Sequence, residues 1–286
     1  MTNFKYNQKS FSTQKELFDF LRKNEKSIIE TKKNFSFSEA INTKFSILKN
    51  TKEKIDATKS KMNLDGEEVS EVKDIDIVNV IIIGNTMNWL DSQDDVLIND
   101  SFKKSLLESQ GKIKHLKDHD QKSTGKVGIP NKVYLQDFSL TELGIQKTGN
   151  TQCLVMDSNV LKCYNENVFY QYMNKDVDQH SVGMIYVKIL LCLNDATDVD
   201  KFKNWNSYYS NIINPEKADR QGFFFAVTEA KLLEVSNVLF GSNEITPTLG
   251  TNIIIEPSED TQKTEPLIIN TQKTDNSQKI KQMFNL

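Results

Sequence analysis

Two long runs constrain this chain more than any other feature. Residues 181–193 and 222–240 are dense in Val, Ile, Leu, Phe and Tyr, and the second opens on Gly222, which marks both as long β-strands. Shorter strand-like runs lie at 75–83, closed by Gly84-Asn85, and at 132–140 and 152–156. Residues 199–213 have helical spacing, and Asp100 is placed to cap a short helix that turns Phe102, Leu106 and Leu107 inward. A Lys-rich extended stretch then leads to His119. Strands outnumber helices and their irregular spacing does not fit a βαβ repeat. The expected architecture is α+β: a mainly antiparallel β-barrel, closed or partly closed, with helices packed on it.

The flanks differ from this body in charge and composition. Residues 1–64 carry 13 Lys and one Arg against seven acids, a net of +7, which leaves −10 for the rest of a chain whose total is −3. Within that segment, 15–29 places Leu17, Phe18, Leu21 and Ile28 at helical spacing, and 39–61 forms a second such stretch. Beyond Gly250 the sequence is polar, and Thr261-Gln-Lys-Thr-Glu265 is echoed by Thr271-Gln-Lys-Thr-Asp275. Such composition buries too little apolar surface to offset its ordering entropy. The expected organisation is a basic helical N-terminal arm at 1–70, a body at 71–248 and a flexible polar tail at 249–286. No apolar run approaches the roughly 18 residues of a membrane span, and Met1 is followed by polar residues, so a cytoplasmic protein is expected. Cys153, Cys163 and Cys192 are an odd count without paired metal-ligand spacing, which predicts free thiols and no metal or other cofactor.

Histidine is scarce, so any imidazole mechanism must use His115, His119 or His180. His115 and His119 have the spacing of a helical zinc-protease motif, but the glutamate that motif needs after its first His is Leu116 here. His180 and Ser181 are adjacent, and in a strand adjacent side chains point to opposite faces. Ser181 therefore begins a row with Gly183, Ile185, Val187, Ile189, Leu191 and Leu193, where its hydroxyl needs a partner from another segment. That partner is either His119 or backbone at the strand end. In a continuous second run, Glu234 interrupts the apolar face of Phe224, Ala226, Ala230, Leu232 and Val238. A carboxylate there is costly unless it is paired, for instance with an imidazole, or unless a bulge or strand end carries it to water.

These segments, in order, resemble the prohead proteases of tailed phages, relatives of the herpesvirus assemblins. The match runs from about Ile75 to Thr246, about 60% of the chain. It rests on Trp89-Leu-Asp91, Asp95-Val-Leu-Ile98 and Ser101-Phe102-Lys-Lys-Ser105-Leu106. It continues through Leu116-Lys-Asp-His119-Asp120 with Gly125, then Ser181-Val-Gly183-Met184, then Leu232-Leu-Glu234-Val-Ser236-Asn-Val238 and Ser242-Asn243. The chain departs from the family pattern at Asp94, at Asp100-Ser101 and at Gly241-Ser242. The resemblance implies Ser181 as nucleophile, His119 as general base and then acid, and Glu234 as the group that orients it.

It also implies the substrates: the scaffold protein, the major capsid protein and the enzyme itself, cut inside a procapsid in the host cytoplasm. The basic arm suits docking on acidic scaffold or self-association, and the tail offers sites for self-cleavage. A membrane role is not expected. Nucleic acid is a poor partner for an arm with one arginine on an acidic body. The alternative is a non-catalytic internal capsid assembly or scaffolding protein, in which Ser181 and His119 are structural.

Overall fold

The computed structural model describes residues 4–34, 76–254 and 268–270. A small hairpin of β1 (Phe4–Tyr6) and β2 (Lys9–Phe11) leads into α1 (Gln14–Asn34). The body follows as β3 (Ile77–Thr86), β4 (Asp95–Leu97), α2 (Lys103–Ser109), β5 (Lys114–Lys117), β6 (Lys126–Ser139), β7 (Asn150–Leu161) and α3 (Glu166–Met173). It is completed by β8 (His180–Leu193), α4 (Val199–Tyr208), α5 (Glu216–Gln221), β9 (Phe223–Asn237), β10 (Thr248–Ile254) and β11 (Ile268–Asn270). The protein is α+β, as its sequence implies.

The barrel expected from the sequence is not closed. The strands form an open mixed path, β11-β10-β3-β7-β6-β5-β9-β4, with β8 paired antiparallel to β9 beside it. Closure fails where β3 meets β8. Gly84 of β3 lies so close to β8 and β9 that an added Cβ would sit 3.0 Å from Val235 and 3.3 Å from Val182. That approach is through side chains, with no ladder between the two strands among the described residues. The edge of β8 away from β9 is therefore unpaired. The sheet is mixed because the other side of β9 is filled by two short parallel strands, β4 and β5.

Bulges decide which side chains face inward. Tyr186 pairs with Ala230 but Lys188 with Glu229, so Val187 is an extra residue on β8. Before it the residues in the main core are Val182, Met184 and Tyr186; after it they are Ile189, Leu191 and Leu193, with Cys192 buried in a second cluster on the other face. The row that Ser181 begins is thus not one apolar face, because its parity reverses midway. On β9, Gly183 pairs with Glu234 but Met184 with Leu232, which leaves Leu233 as the extra residue. Leu232 and Val235 then face the main core, while Glu234 and Ser236 turn to the other side.

The basic helix packs on the body. Leu17, Phe18 and Leu21 join the same buried cluster as Val182, Phe223 and Val235. Arg22 bridges Asp195 and Asp198, and Lys201 meets Glu25 at 3.0 Å. The second helix expected at 39–61 lies outside the described residues, as do 255–267 and 271–286 of the expected tail. Residues 248–254, partly assigned to that tail on composition, form β10 against β3. Gly84-Asn85 does not end its strand but forms a bulge within β3. Asp100 does not cap α2: its backbone is left-handed, φ 65°, and Phe102 holds the N-cap position. Phe102 and Leu106 are buried one turn apart, but Leu107, about 100° further round, is 82% exposed.

Candidate active site

Strand β5 lies parallel to β9, with Lys114 opposite Glu234 and Lys117 opposite Asn237. The chain then reverses through two consecutive left-handed residues, Asp118 at φ 51° and His119 at φ 55°. For non-glycine residues that conformation costs roughly 1 kcal/mol or more each, and the surroundings must hold it. Three amides do so: Asp118 N–H donates to Asn237 O at 3.0 Å, Asp120 N–H to Lys117 O at 2.8 Å, and His119 N–H to Ser236 Oγ at 3.1 Å. Gly125 closes the loop, since a Cβ there would lie 2.0 Å from the Asp120 carbonyl oxygen.

The reversal aims the His119 ring at β9. Its Nδ1 lies 2.5 Å from Glu234 Oε1, and Ser236 Oγ donates to Glu234 Oε2 at 2.6 Å. Glu234 is 4% exposed, and each of its two carboxylate oxygens has a hydrogen-bond partner. The carboxylate reaches this place because Gly183, opposite it on β8, has no side chain. A Cβ on Gly183 would stand 2.1 Å from Glu234 Oε1.

Ser181 pairs directly with Ser236, so the two share the face that carries Gly183 and Glu234. Directly opposed residues in an antiparallel pair have Cα atoms about 4.5–5.5 Å apart. Ser181, His119 and Glu234, singled out from sequence, thus gather on one face of the β8–β9 pair with Ser236 between them. Two of the three are joined by a hydrogen bond. Among the described residues neither Ser181 Oγ nor His119 Nε2 has a hydrogen-bond partner, so the serine is placed beside the couple without bonding it.

The other two histidines serve a different purpose. His180 Nδ1 lies 2.7 Å from the Thr246 carbonyl, which can only accept, so that nitrogen carries the proton. Its Nε2 then accepts from Tyr172 OH at 3.0 Å, Tyr172 accepts from His115 Nε2 at 3.1 Å, and His115 Nδ1 accepts from Ser158 Oγ at 3.0 Å. The chain of bonds has one direction and needs both rings neutral. Burial holds His115 down at about 3 and His180 at about 4. The spacing shared by His115 and His119 does not place them on one helix face, because one sits on β5 and the other in the turn after it. Among the described residues no group of three or more His, Cys, Asp or Glu is arranged to hold a metal ion.

A cavity of about 60 Å³ adjoins the unpaired edge of β8. Ser181, Asn85, Ser242 and Asn243 line it together with Asp91, Asp95, Tyr186 and Lys32. Asp95 is 1% exposed and bonds Lys32 Nζ at 2.7 Å and Tyr186 OH at 2.9 Å. Asp91 Oδ1 accepts the amides of Gln93 and Asp95. Burial and then the neighbouring Asp95 charge push the Asp91 carboxyl well above the usual range; burial also raises Asp95, against the pull of Lys32.

Sequence reading did not assign the roles of Ser236, Gly183 and Lys32. Ser236 was visible two residues beyond Glu234 and hence on its face, whereas the parts played by Gly183 and Lys32 depend on register and docking that no local pattern carries. No protein-family model, curated protein or solved structure matches this chain.

Proposed function

We propose that this chain is a serine endopeptidase of the prohead-protease type that processes scaffold protein, major capsid protein and itself during procapsid maturation in the host cytoplasm. The observation that carries the proposal is the His119–Glu234 couple, 2.5 Å long and braced by Ser236, on the face that holds Ser181. With Nδ1 committed to the carboxylate, Nε2 is the nitrogen that takes the Ser181 proton as the hydroxyl attacks a peptide carbonyl. The same nitrogen returns the proton to the leaving amine, and water repeats the cycle on the acyl-enzyme. Ser242 and Asn243 share the cavity with Ser181, and neither amide has an acceptor among the described residues. We assign those two amides to the oxyanion. The unpaired edge of β8 offers an extended substrate backbone a ladder beside Ser181.

One observation favours a second reading: Ser181 does not hydrogen-bond His119, as in a non-catalytic assembly or scaffolding protein that keeps the fold. Co-expression with scaffold and major capsid proteins encoded in the same genome, followed by intact-mass measurement, decides between them. Wild type is expected to shorten those proteins, and Ser181→Ala and His119→Ala to lose processing by about 10⁴-fold or more. Processing that survives either substitution removes the peptidase reading.

A further inference from the structure

The cavity beside Ser181 contains a complete site for a cation, and the cation in it belongs to the protein's own N-terminal helix. Lys32, in the last turn of α1, donates to Asp95 Oδ1 at 2.7 Å and to the Gln93 carbonyl at 2.9 Å, with its ammonium 4.7 Å from the centre of the Phe225 ring. A carboxylate, a carbonyl and an aromatic face around one ammonium is the arrangement that recognises a lysine or arginine side chain. Asp95 is further fixed by Tyr186, itself buried. Asn85, which also lines the cavity, is 4% exposed and its Oδ1 has no hydrogen-bond partner among the described residues, a buried acceptor that an incoming group would satisfy. Without Lys32 the buried Asp95 carboxylate loses its cationic partner, which is costly, so withdrawal of that side chain favours a replacement of the same charge. The buried anchors of α1, Leu17, Phe18 and Leu21, lie about three to four turns upstream of Lys32, and Ile28 and Ile29 pack on the core one turn upstream of it. Only the last turn, residues 31–34, carries no apolar anchor and can lift without moving those residues.

We propose that this cavity receives a cationic side chain, lysine or arginine, from the polypeptide presented to Ser181, with Asp95 as counter-charge, and that Lys32 fills the place until then. The identity of the substrate rests on the peptidase reading; the cation site does not. The probe is n-butylammonium chloride, a lysine side chain without its backbone, added to full-length Lys32→Met, with n-butanol and sodium chloride as controls. Butylammonium at ten times its Kd is expected to raise the melting temperature of Lys32→Met by roughly 3–5 °C, with no such shift for wild type or Lys32→Met/Asp95→Asn. If Lys32→Met folds only when butylammonium is present, while Lys32→Met/Asp95→Asn folds without it, the result is the same. No butylammonium-specific effect, or one that persists without Asp95, overturns the proposal.

Peptide pools that differ only in Lys against norleucine then test the substrate. Lys32→Met is expected to cut the Lys pool at least about tenfold faster, and equal rates overturn the specificity. A fluorophosphonate separates the two readings. If Ser181 is never labelled and neither pool is cut while butylammonium still binds, the peptidase reading fails and the cation site stands.

Discussion

Gly183→Ala is the sharpest test of how the site is built. The new methyl group would lie 2.1 Å from Glu234 Oε1 and 2.8 Å from Cδ, whereas a carbon–oxygen contact needs more than about 3 Å. The carboxylate must retreat by about 1 Å, and it cannot do so while one oxygen holds His119 at 2.5 Å and the other holds Ser236 at 2.6 Å. Overpacking costs about 1–3 kcal/mol and loss of a charge-assisted hydrogen bond about 1.5–3 kcal/mol. Their overlap gives an expected destabilisation of roughly 3 kcal/mol, or about 6–12 °C in melting temperature for a chain of this size. On the peptidase reading, displacing Glu234 by that distance should lower kcat/KM about 100-fold or more. The assay is a double-mutant cycle with Glu234→Ala, followed by thermal melting and the downfield imidazole N–H resonance of His119. The clash disappears once Glu234 is truncated, so Gly183→Ala should cost little in that background. Wild-type stability in Gly183→Ala with the imidazole resonance unchanged, or additive losses in the cycle, would refute the geometry.

Ser236→Ala removes at once a donor to Glu234 and the acceptor for the His119 amide. A loss of about 2–4 kcal/mol in denaturant unfolding is expected, together with a lower kcat that Ser236→Thr restores better than Ala does. Stability should peak near pH 6–7, as measured by melting across pH. His115 and His180 stay neutral in the fold down to about 3 and about 4, so the unfolded chain binds more protons from there up to about 6.5, and stability falls as pH drops through that window at up to roughly 2.7 kcal/mol per unit. Asp91 acts in the opposite sense: it keeps its proton to about 8 in the fold, which erodes stability as pH rises from about 4 to 8, so Asp91→Asn should flatten the alkaline side of the peak.

The long strands were legible because β8 and β9, of 14 and 15 residues, are rich in aliphatic and aromatic side chains and hold no Pro and a single Gly. Their faces were not. A bulge is one extra residue, invisible to a period-two reading, and Val187 and Leu233 each reverse the parity of the strand beyond them. Glu234 was thus picked out as an anomaly on the face of Leu232, whereas the bulge turns it to the opposite face, where it is buried against His119. The barrel was overestimated for a related reason. Strand content says how much sheet there is, but closure depends on whether two particular strands hydrogen-bond, and β3 and β8 meet through Gly84, Val182 and Val235 instead. The docking of α1 was half visible: the stripe of Leu17, Phe18 and Leu21 called for a partner surface, but nothing local to Lys32 pointed to Asp95.

The three histidines show how surroundings rather than residue type allocate chemistry. In His115 and His180 both ring nitrogens are consumed, by Ser158 and Tyr172 and by Tyr172 and Thr246, and burial keeps the rings neutral. Those rings brace strand β5 against β8, the two strands that carry His119 and Ser181 toward each other. His119 alone has one nitrogen committed and the other open, and its side chain is 18% exposed where theirs are sealed. An imidazole can act as a base only if a proton can reach it and a counter-charge can stabilise the result. The fold grants both conditions to one ring of three, and it does so at the place where Gly183 makes room for a carboxylate.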